Sequence, residues 1–342
     1  VDRDGNRIEV PEKLREMEAT SEMCKLVHMY YFGHVVNAGK GSPSGGIYFD
    51  FSRFTDEQID EMFEAVMDHF DGFYKHGYYH GESIIDFRDL AKKKRRVEVG
   101  LTSEYSVGGI FVDENMFTGV PGLYAAGEAA SGVFGANRVA DAVTEMLVQG
   151  YKAGEVAAAR ASEQTRVASD DAAIERAVGV LEKLLSNQGG IAVSEAIDRL
   201  GEISDNALGM VRNETTLRAG VEAFETLGAE MDGISLRGKS LRYNRELMQA
   251  LAARNLLACS RVAAKMALER RESRGLHLRD DYSYIDNENW QVRQLAELVN
   301  GEDKLSKKVP VVTRIPLRKA EKIDYESFIL EEDLGMKNME ES

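Results

Sequence analysis

Tyr105-Ser106-Val107-Gly108-Gly109-Ile110, Gly122-Leu123-Tyr124-Ala125-Ala126-Gly127-Glu128 and Gly135-Ala136-Asn137-Arg138 follow one another in that order, and their reading decides the fold. From about 101 to 138 the chain is Gly-rich and β-like. Gly108 to Asp113 and Leu123 to Ala126 flank the turn signal Thr118-Gly119-Val120-Pro121-Gly122, which predicts two short strands joined by a turn. The second strand delivers Gly127, whose missing side chain lets a ligand approach the backbone, and Glu128, whose carboxylate can accept hydrogen bonds from sugar hydroxyls. Taken alone, Glu128 reads first as a turn carboxylate in water. Arg138 precedes a helix predicted from near Val139 to near Ala161, so its guanidinium and the free N–H groups of the first turn would converge on an anionic region. The plainer reading of Arg138 is a surface salt bridge. Gly150 and Gly154 are read as places where another element can approach that helix.

Outward from this block the chain changes character on each side. Upstream, Ile47, Phe49 and Phe51 alternate with polar partners as a strand does, and Ile59, Met62, Phe63, Val66 and Met67 form a helical stripe over Thr55 to Phe70. Gly39-Lys40-Gly41-Ser42-Pro43-Ser44-Gly45-Gly46 resembles a phosphate loop only superficially, because it leads into a strand instead of into a helix. The run Lys92-Lys93-Lys94-Arg95-Arg96 reads as a solvated edge before the alternation Val97, Val99, Leu101. Downstream of about 168 the signals are helical. Ser169 is the expected cap of a helix with the stripe Ile174, Ala177, Val178, Leu181, Leu184 and Leu185. Asn213 is the expected cap of a second, with Leu217, Val221, Phe224 and Leu227, and a third from about Ser240 carries Leu247, Leu251, Ala258 and Val262. An antiparallel bundle follows from this pattern. After Arg274-Gly275 the chain reads as irregular, ending in an acidic tail from Glu331.

Composition narrows the function classes. With 342 residues, 43% of them apolar, the chain can bury a sizeable core, and its formal net charge of -15 disfavours nucleic acid and anionic lipid unless a basic patch is strongly segregated. Neither partner is expected. The two cysteines, Cys24 and Cys259, are far apart and outside metal spacing, which predicts reduced, buried thiols in a cytoplasmic protein. His76 and His80 have helical spacing but sit beside Gly77 and Tyr78-Tyr79, so no metal is assigned. No apolar run approaches the ~20 residues of a membrane span. The charged opening Val1-Asp2-Arg3-Asp4 shows no secretion signal, and the missing initiator Met reads as a fragment beginning inside a longer protein.

A second block, Glu272-Ser273-Arg274-Gly275-Leu276-His277-Leu278-Arg279-Asp280-Asp281-Tyr282, closes with Asn289-Trp290, and Val211-Arg212-Asn213-Glu214 lies between the two blocks. Together they resemble the flavoprotein subunits of the succinate dehydrogenase and fumarate reductase family, which includes L-aspartate oxidase. The resemblance covers nearly everything but the acidic tail. It implies an α+β chain: a partial cap domain over 1–100, the C-terminal segment of an FAD-binding domain over 101–165, a helical bundle over 166–275, and an irregular segment with tail over 276–342.

The same resemblance implies FAD as cofactor and hydride transfer between flavin N5 and a small carboxylate-bearing substrate. Glu128 would meet the FAD ribose, with Tyr105, Gly127 and Asn137 as further cofactor contacts. The backbone at Ala142 and Val143 would face the flavin pyrimidine edge. Arg138 would clamp the substrate carboxylate, since a planar fork binding it bidentately gives orientation as well as charge. His277 and Arg279 are expected to fix the second block in place, and Trp290 to anchor packing. An electron-transfer iron–sulfur subunit would be the partner, with any membrane association peripheral and through partners.

Three departures from the family pattern qualify these expectations. The Gly-x-Gly-x-x-Gly cradle for the pyrophosphate is absent, so FAD binding by this chain alone is expected to be weak or nil. The proton-donating Arg of the cap belongs upstream of Val1, so no residue here is assigned a catalytic role. Glu104 stands where the family has His, Phe134 where a His is common, and the segment after Arg138 is one residue shorter. An anionic Glu104 would oppose a second substrate carboxylate, which disfavours succinate and fumarate as substrates. The alternative to an enzyme fragment is a catalytically degenerate paralogue serving as scaffold or assembly subunit.

Overall fold

The computed structural model describes residues 1–10, 22–69, 87–100, 105–130, 142–164, 169–308 and 322–324. The chain divides into two compact units, Val1–Met17 with Val27–Ser103 and Glu18–Leu26 with Glu104–Ser342. Both mix helices with short strands.

The first unit is built on helix α1 (Glu22–Val35) from Val27 onward, strand β1 (Ile47–Asp50), helices α2 (Asp56–His69) and α3 (Phe87–Lys94), and strand β2 (Arg96–Val99). Thr55 starts α2 with a capping box: its Oγ1 accepts the Gln58 N–H at 3.2 Å while Gln58 Oε1 accepts the Thr55 N–H at 3.0 Å. The stripe of α2 then buries Ile59 against Ala91 and Val97, with Phe51, Phe63 and Phe87 packed around them. β1 and β2 pair antiparallel, from Ile47 opposite Val99 to Asp50 opposite Arg96. The lysine run leads into β2 as expected, with its first three residues helical. Lys92, Lys93 and Lys94 form the last turn of α3, where cations complement the helix dipole, and Lys93 bonds Asp89 one turn back at 2.7 Å. The strand itself begins only at Arg96.

The second unit holds helices α4 (Ala142–Glu163), α5 (Asp171–Ser186), α6 (Val193–Leu208), α7 (Glu214–Met231) and α8 (Arg245–Glu269). Packing of α6, α7 and α8 centres on Leu200, Phe224, Leu227, Met231 and Ala250, each essentially removed from solvent. Burying a Phe or Leu so completely contributes about 1.5–3 kcal/mol. Asn213 caps α7 in a reciprocal capping box with Thr216. The cap of α5 is Asp170 and not Ser169, because the Asp170 carboxylate accepts the Ala173 N–H at 3.1 Å. Only part of the expected α5 stripe is buried: Leu184 is enclosed, whereas Ile174 and Val178 are exposed. On α8 the buried face runs through Leu247, Ala250, Ala253, Leu257, Ser260, Ala264 and Ala267, with Ala258 outside it. Small side chains on that face let neighbouring helices come close, so the larger residues mislead a reading by size. Cys259 falls between the buried positions 257 and 260 and is exposed, contrary to the expected buried thiol.

Beyond α8 the chain is more regular than its sequence suggests. Strand β3 (Val211–Arg212) pairs in parallel with β4 (Leu278–Arg279), and β5 (Tyr284–Asp286) pairs antiparallel with β8 (Lys322–Asp324). The short helix α9 (Asn287–Trp290) leads to a hairpin of β6 (Arg293–Val299) and β7 (Glu302–Lys308). Its turn is Asn300-Gly301, both with positive φ (53° and 86°), the two-residue geometry that matches strand twist. Asp303 of β7 ties the hairpin to α8 through Arg261 at 3.0 Å and Lys265 at 3.2 Å.

Candidate functional site

Residues 105–130 form a compact set of turns instead of the two expected strands. Only isolated bridges occur, Phe117 with Tyr124 and Ile110 with Ala130. Asp113 accepts the N–H groups of Asn115 and Phe117, each at 2.9 Å, and so satisfies locally the backbone that a ladder would otherwise pair. The segment ends in a single 3₁₀ turn, Gly127–Ala129, which delivers Gly127 and Glu128 against the start of α4.

Gly127 has φ +69°, and a Cβ there would lie 2.9 Å from Met146 Cγ on α4. Both the left-handed backbone and the close approach require glycine. Four polar side chains hold this arrangement. Gln149 Oε1 accepts the Gly127 N–H at 2.8 Å, Gln149 Nε2 donates to Glu145 Oε1 at 2.9 Å, and the Tyr105 hydroxyl donates to Glu145 Oε2 at 3.0 Å. Glu145 and Gln149 are buried one helical turn apart on α4. The fourth, Glu128, is exposed and accepts the Ser106 N–H at 2.8 Å through Oε1. Glu145 and Gln149 were not among the candidates from sequence. Nothing in their spacing separates them from ordinary polar positions of an amphipathic helix.

Of the remaining candidates, Ala142 is buried at the start of α4 and Val143 is exposed beside it. Glu104, Asn137 and Arg138 lie outside the described residues, as do Phe134, His76 and His80. The outer side of α4 carries exposed Val143, Leu147, Val148 and Tyr151, and the space beside Gly150 and Gly154 is open among the described residues. These features suit the ribose of FAD in kind: an exposed carboxylate can accept sugar hydroxyls, and the turn that carries it packs on Met146 and Gln149 of a 22-residue helix.

The second block forms a separate, buried polar knot. Glu272 is fully enclosed and accepts from Arg270 (2.5 Å), Arg274 (2.8 Å) and the Asp286 N–H (2.9 Å). Arg279 Nη1 reaches the carbonyls of Ala267, Leu268 and Arg270 at 3.1–3.2 Å, closing the C-terminus of α8, while its other nitrogens bond Asp281. Arg212 Nη1 lies 3.3 Å from His277 Nδ1, and His277 Nε2 lies 3.2 Å from the Arg270 carbonyl. That pairing assigns a neutral imidazole with its proton on Nε2. Burial, then the Arg212 charge, pushes the His277 pKa down to about 3. Burial and the Arg279 charge likewise bring Arg212 to about 10. Trp290 is buried, with the Arg270 guanidinium 5.2 Å and Lys307 Nζ 3.5 Å from its ring centroid. Among the described residues no cluster of three His, Cys, Asp or Glu could hold a metal ion, and no helix is long and apolar enough to cross a membrane.

Comparison with known proteins gives this geometry a family. Residues 8–141 match the FAD binding domain, and residues 197–325 match the fumarate reductase flavoprotein C-terminal family. The fumarate reductase flavoprotein subunit of Haemophilus influenzae is 34% identical over 196 residues, which are 56% of this chain and 33% of that protein. One subunit of the CoM/CoB fumarate reductase of Methanothermobacter marburgensis is 29% identical over 247 residues, 71% of this chain and 42% of that protein. Among solved structures, Mycobacterium smegmatis Sdh1 in complex with UQ1 superposes with a TM-score of 0.73 at 27% identity, covering 88% of this chain and 49% of that one. The chain thus spans a third to a half of the length of these relatives. It belongs to the family of FAD-dependent fumarate reductase and succinate dehydrogenase flavoproteins.

Proposed function

We propose that this chain is part of an oxidoreductase that exchanges hydride with a small carboxylate-bearing substrate, and that it supplies the cofactor's ribose contact and the substrate's carboxylate clamp. The observation that carries the proposal is the Tyr105–Glu145–Gln149–Gly127 chain of hydrogen bonds. It fixes a left-handed glycine turn beside the start of α4 and leaves Glu128 facing solvent. When bound, FAD would supply a hydride-accepting N5. Glu128 would accept the ribose hydroxyls, Tyr105, Gly127 and Asn137 would shape the surface around them, and the backbone at Ala142 and Val143 would face the flavin edge. Arg138 would hold a substrate carboxylate by its planar fork. The relatives are named as subunits, which supports an electron-transfer partner, with an iron–sulfur protein as the chemical fit and any membrane contact made through it.

The test is steady-state turnover and FAD content of the full-length protein. Arg138→Ala should lose carboxylate turnover yet retain FAD, and Glu128→Ala should lower FAD affinity. Full turnover with undiminished FAD in both variants would defeat the reading. FAD retention with no turnover by the unsubstituted protein would favour the scaffold paralogue suggested by Glu104 and the shortened segment after Arg138.

A further inference from the structure

Between α7 and α8 the stretch 233–245 carries Arg237, Lys239, Arg242 and Arg245 and no Asp or Glu, a local formal charge of +4. The rest of the chain then carries -15 minus +4, or -19. Beside these cations stand two side chains with no packing role: Leu241 is 61% exposed and Tyr243 is fully exposed. The nearest carboxylate in sequence, Glu246, accepts the N–H groups of Arg237 at 2.8 Å and Gly238 at 3.3 Å and pairs with Arg237 Nε at 3.4 Å, which leaves Lys239, Arg242 and Arg245 without a carboxylate among the described residues.

The loop is also built to hold its shape. Asn244 Nδ2 donates to the carbonyls of Gly238 and Ser240, both at 2.9 Å, while its Oδ1 caps α8 through the Leu247 N–H at 3.0 Å. Lys239 Nζ reaches across to the Asn187 carbonyl at 2.9 Å. Tyr243 takes φ +54°, a conformation unfavourable for an aromatic residue that persists only where its surroundings impose it. Binding would therefore require little ordering of the loop.

We propose that this loop is the docking surface for a carboxylate-rich segment of another protein. Three of the four cations are Arg, whose planar fork pairs bidentately with carboxylates, and Arg with Tyr is the composition of interface hot spots. The charge of -19 carried by the rest of the chain disfavours an anionic bilayer, whereas a narrow acidic segment can engage the loop alone. The proposal does not depend on the redox reading.

The experiment is a fluorescence-anisotropy titration of the chain with a fluorescein-labelled peptide of Glu-Glu-Leu repeats, in parallel with sedimentation of phosphatidylglycerol vesicles. Peptide binding should weaken with salt and fall about tenfold or more in R242E/R245E. It should be unchanged in R293E/K304E, which alters net charge equally at exposed positions of the hairpin. Tyr243→Ala should weaken binding several-fold. Circular dichroism at the wild-type level shows that each variant is folded. Equal loss in both double variants, no peptide binding, or loop-dependent vesicle binding without peptide binding would each overturn the proposal.

Discussion

Gln149 Oε1 accepts the Gly127 N–H at 2.8 Å in a buried position, and the same amide donates to Glu145. One side chain thus couples the start of a helix to the turn that presents Glu128. Replacing it by leucine keeps its bulk but leaves a buried backbone donor and a buried carboxylate short of a partner. Such groups cost about 1–3 kcal/mol each. Gln149→Leu should therefore raise amide exchange across 105–130 without changing exchange in α6 to α8, as hydrogen-exchange mass spectrometry would register. Uniform exchange in the variant and the parent would show that the contact is incidental.

Gly127→Ala tests the same turn through its backbone. The new Cβ would sit 2.9 Å from Met146 Cγ in a left-handed conformation, so the flexible Met must move and the strain remains. A loss of about 1–3 kcal/mol is expected. Met146→Ala in the same chain should relieve the contact part of that loss and leave the conformational part, so the double variant should fall between the two single variants in urea unfolding.

Much of this architecture is written locally. The α7 cap is legible at Asn213, and the periodicity of Leu217, Val221, Phe224 and Leu227 marks one buried side, because cap and stripe are properties of adjacent turns. The hairpin is also written, as Asn300-Gly301 between strands, but its many Lys and Glu residues dilute the alternation that would reveal it. Gln149 and Glu145 are a different case. They are buried only because a segment about 20 residues away in sequence folds back over them, and no local pattern encodes that return. Glu128 could be named from its motif; the side chains that aim its turn could not.

His277 gives the second block a pH signature. Its folded pKa lies at about 3, below the ordinary 6.5, so the stability associated with its neutral form is complete above pH 6.5 and is lost as pH falls toward 3. Between pH 6.5 and 5 ordinary carboxylates hardly titrate, and one proton taken up on unfolding gives a slope of up to about 1.4 kcal/mol per pH unit. His277→Asn should flatten that slope in urea midpoints measured over this window. A wild-type slope of zero there would mean the imidazole is accessible enough to protonate in the folded protein.

Under the proposed function, substrate choice in the full-length protein is expected to turn on Glu104. On that reading this position would face the substrate, and there a carboxylate would replace a group that donates to one. If it is ionised, it opposes a second substrate carboxylate while Arg138 holds the first. An unfavourable interaction of only ~1.4 kcal/mol lowers affinity about tenfold. Fumarate should therefore be reduced poorly, and a monocarboxylate or an amine-bearing analogue should do better. Glu104→His should raise kcat/KM for fumarate by about tenfold or more and leave monocarboxylates nearly unchanged. The comparison of both substrates in both proteins separates this charge effect from general damage, which would lower all four values together. Efficient native fumarate turnover that falls on introducing His would remove Glu104 from the pocket while leaving the family membership untouched.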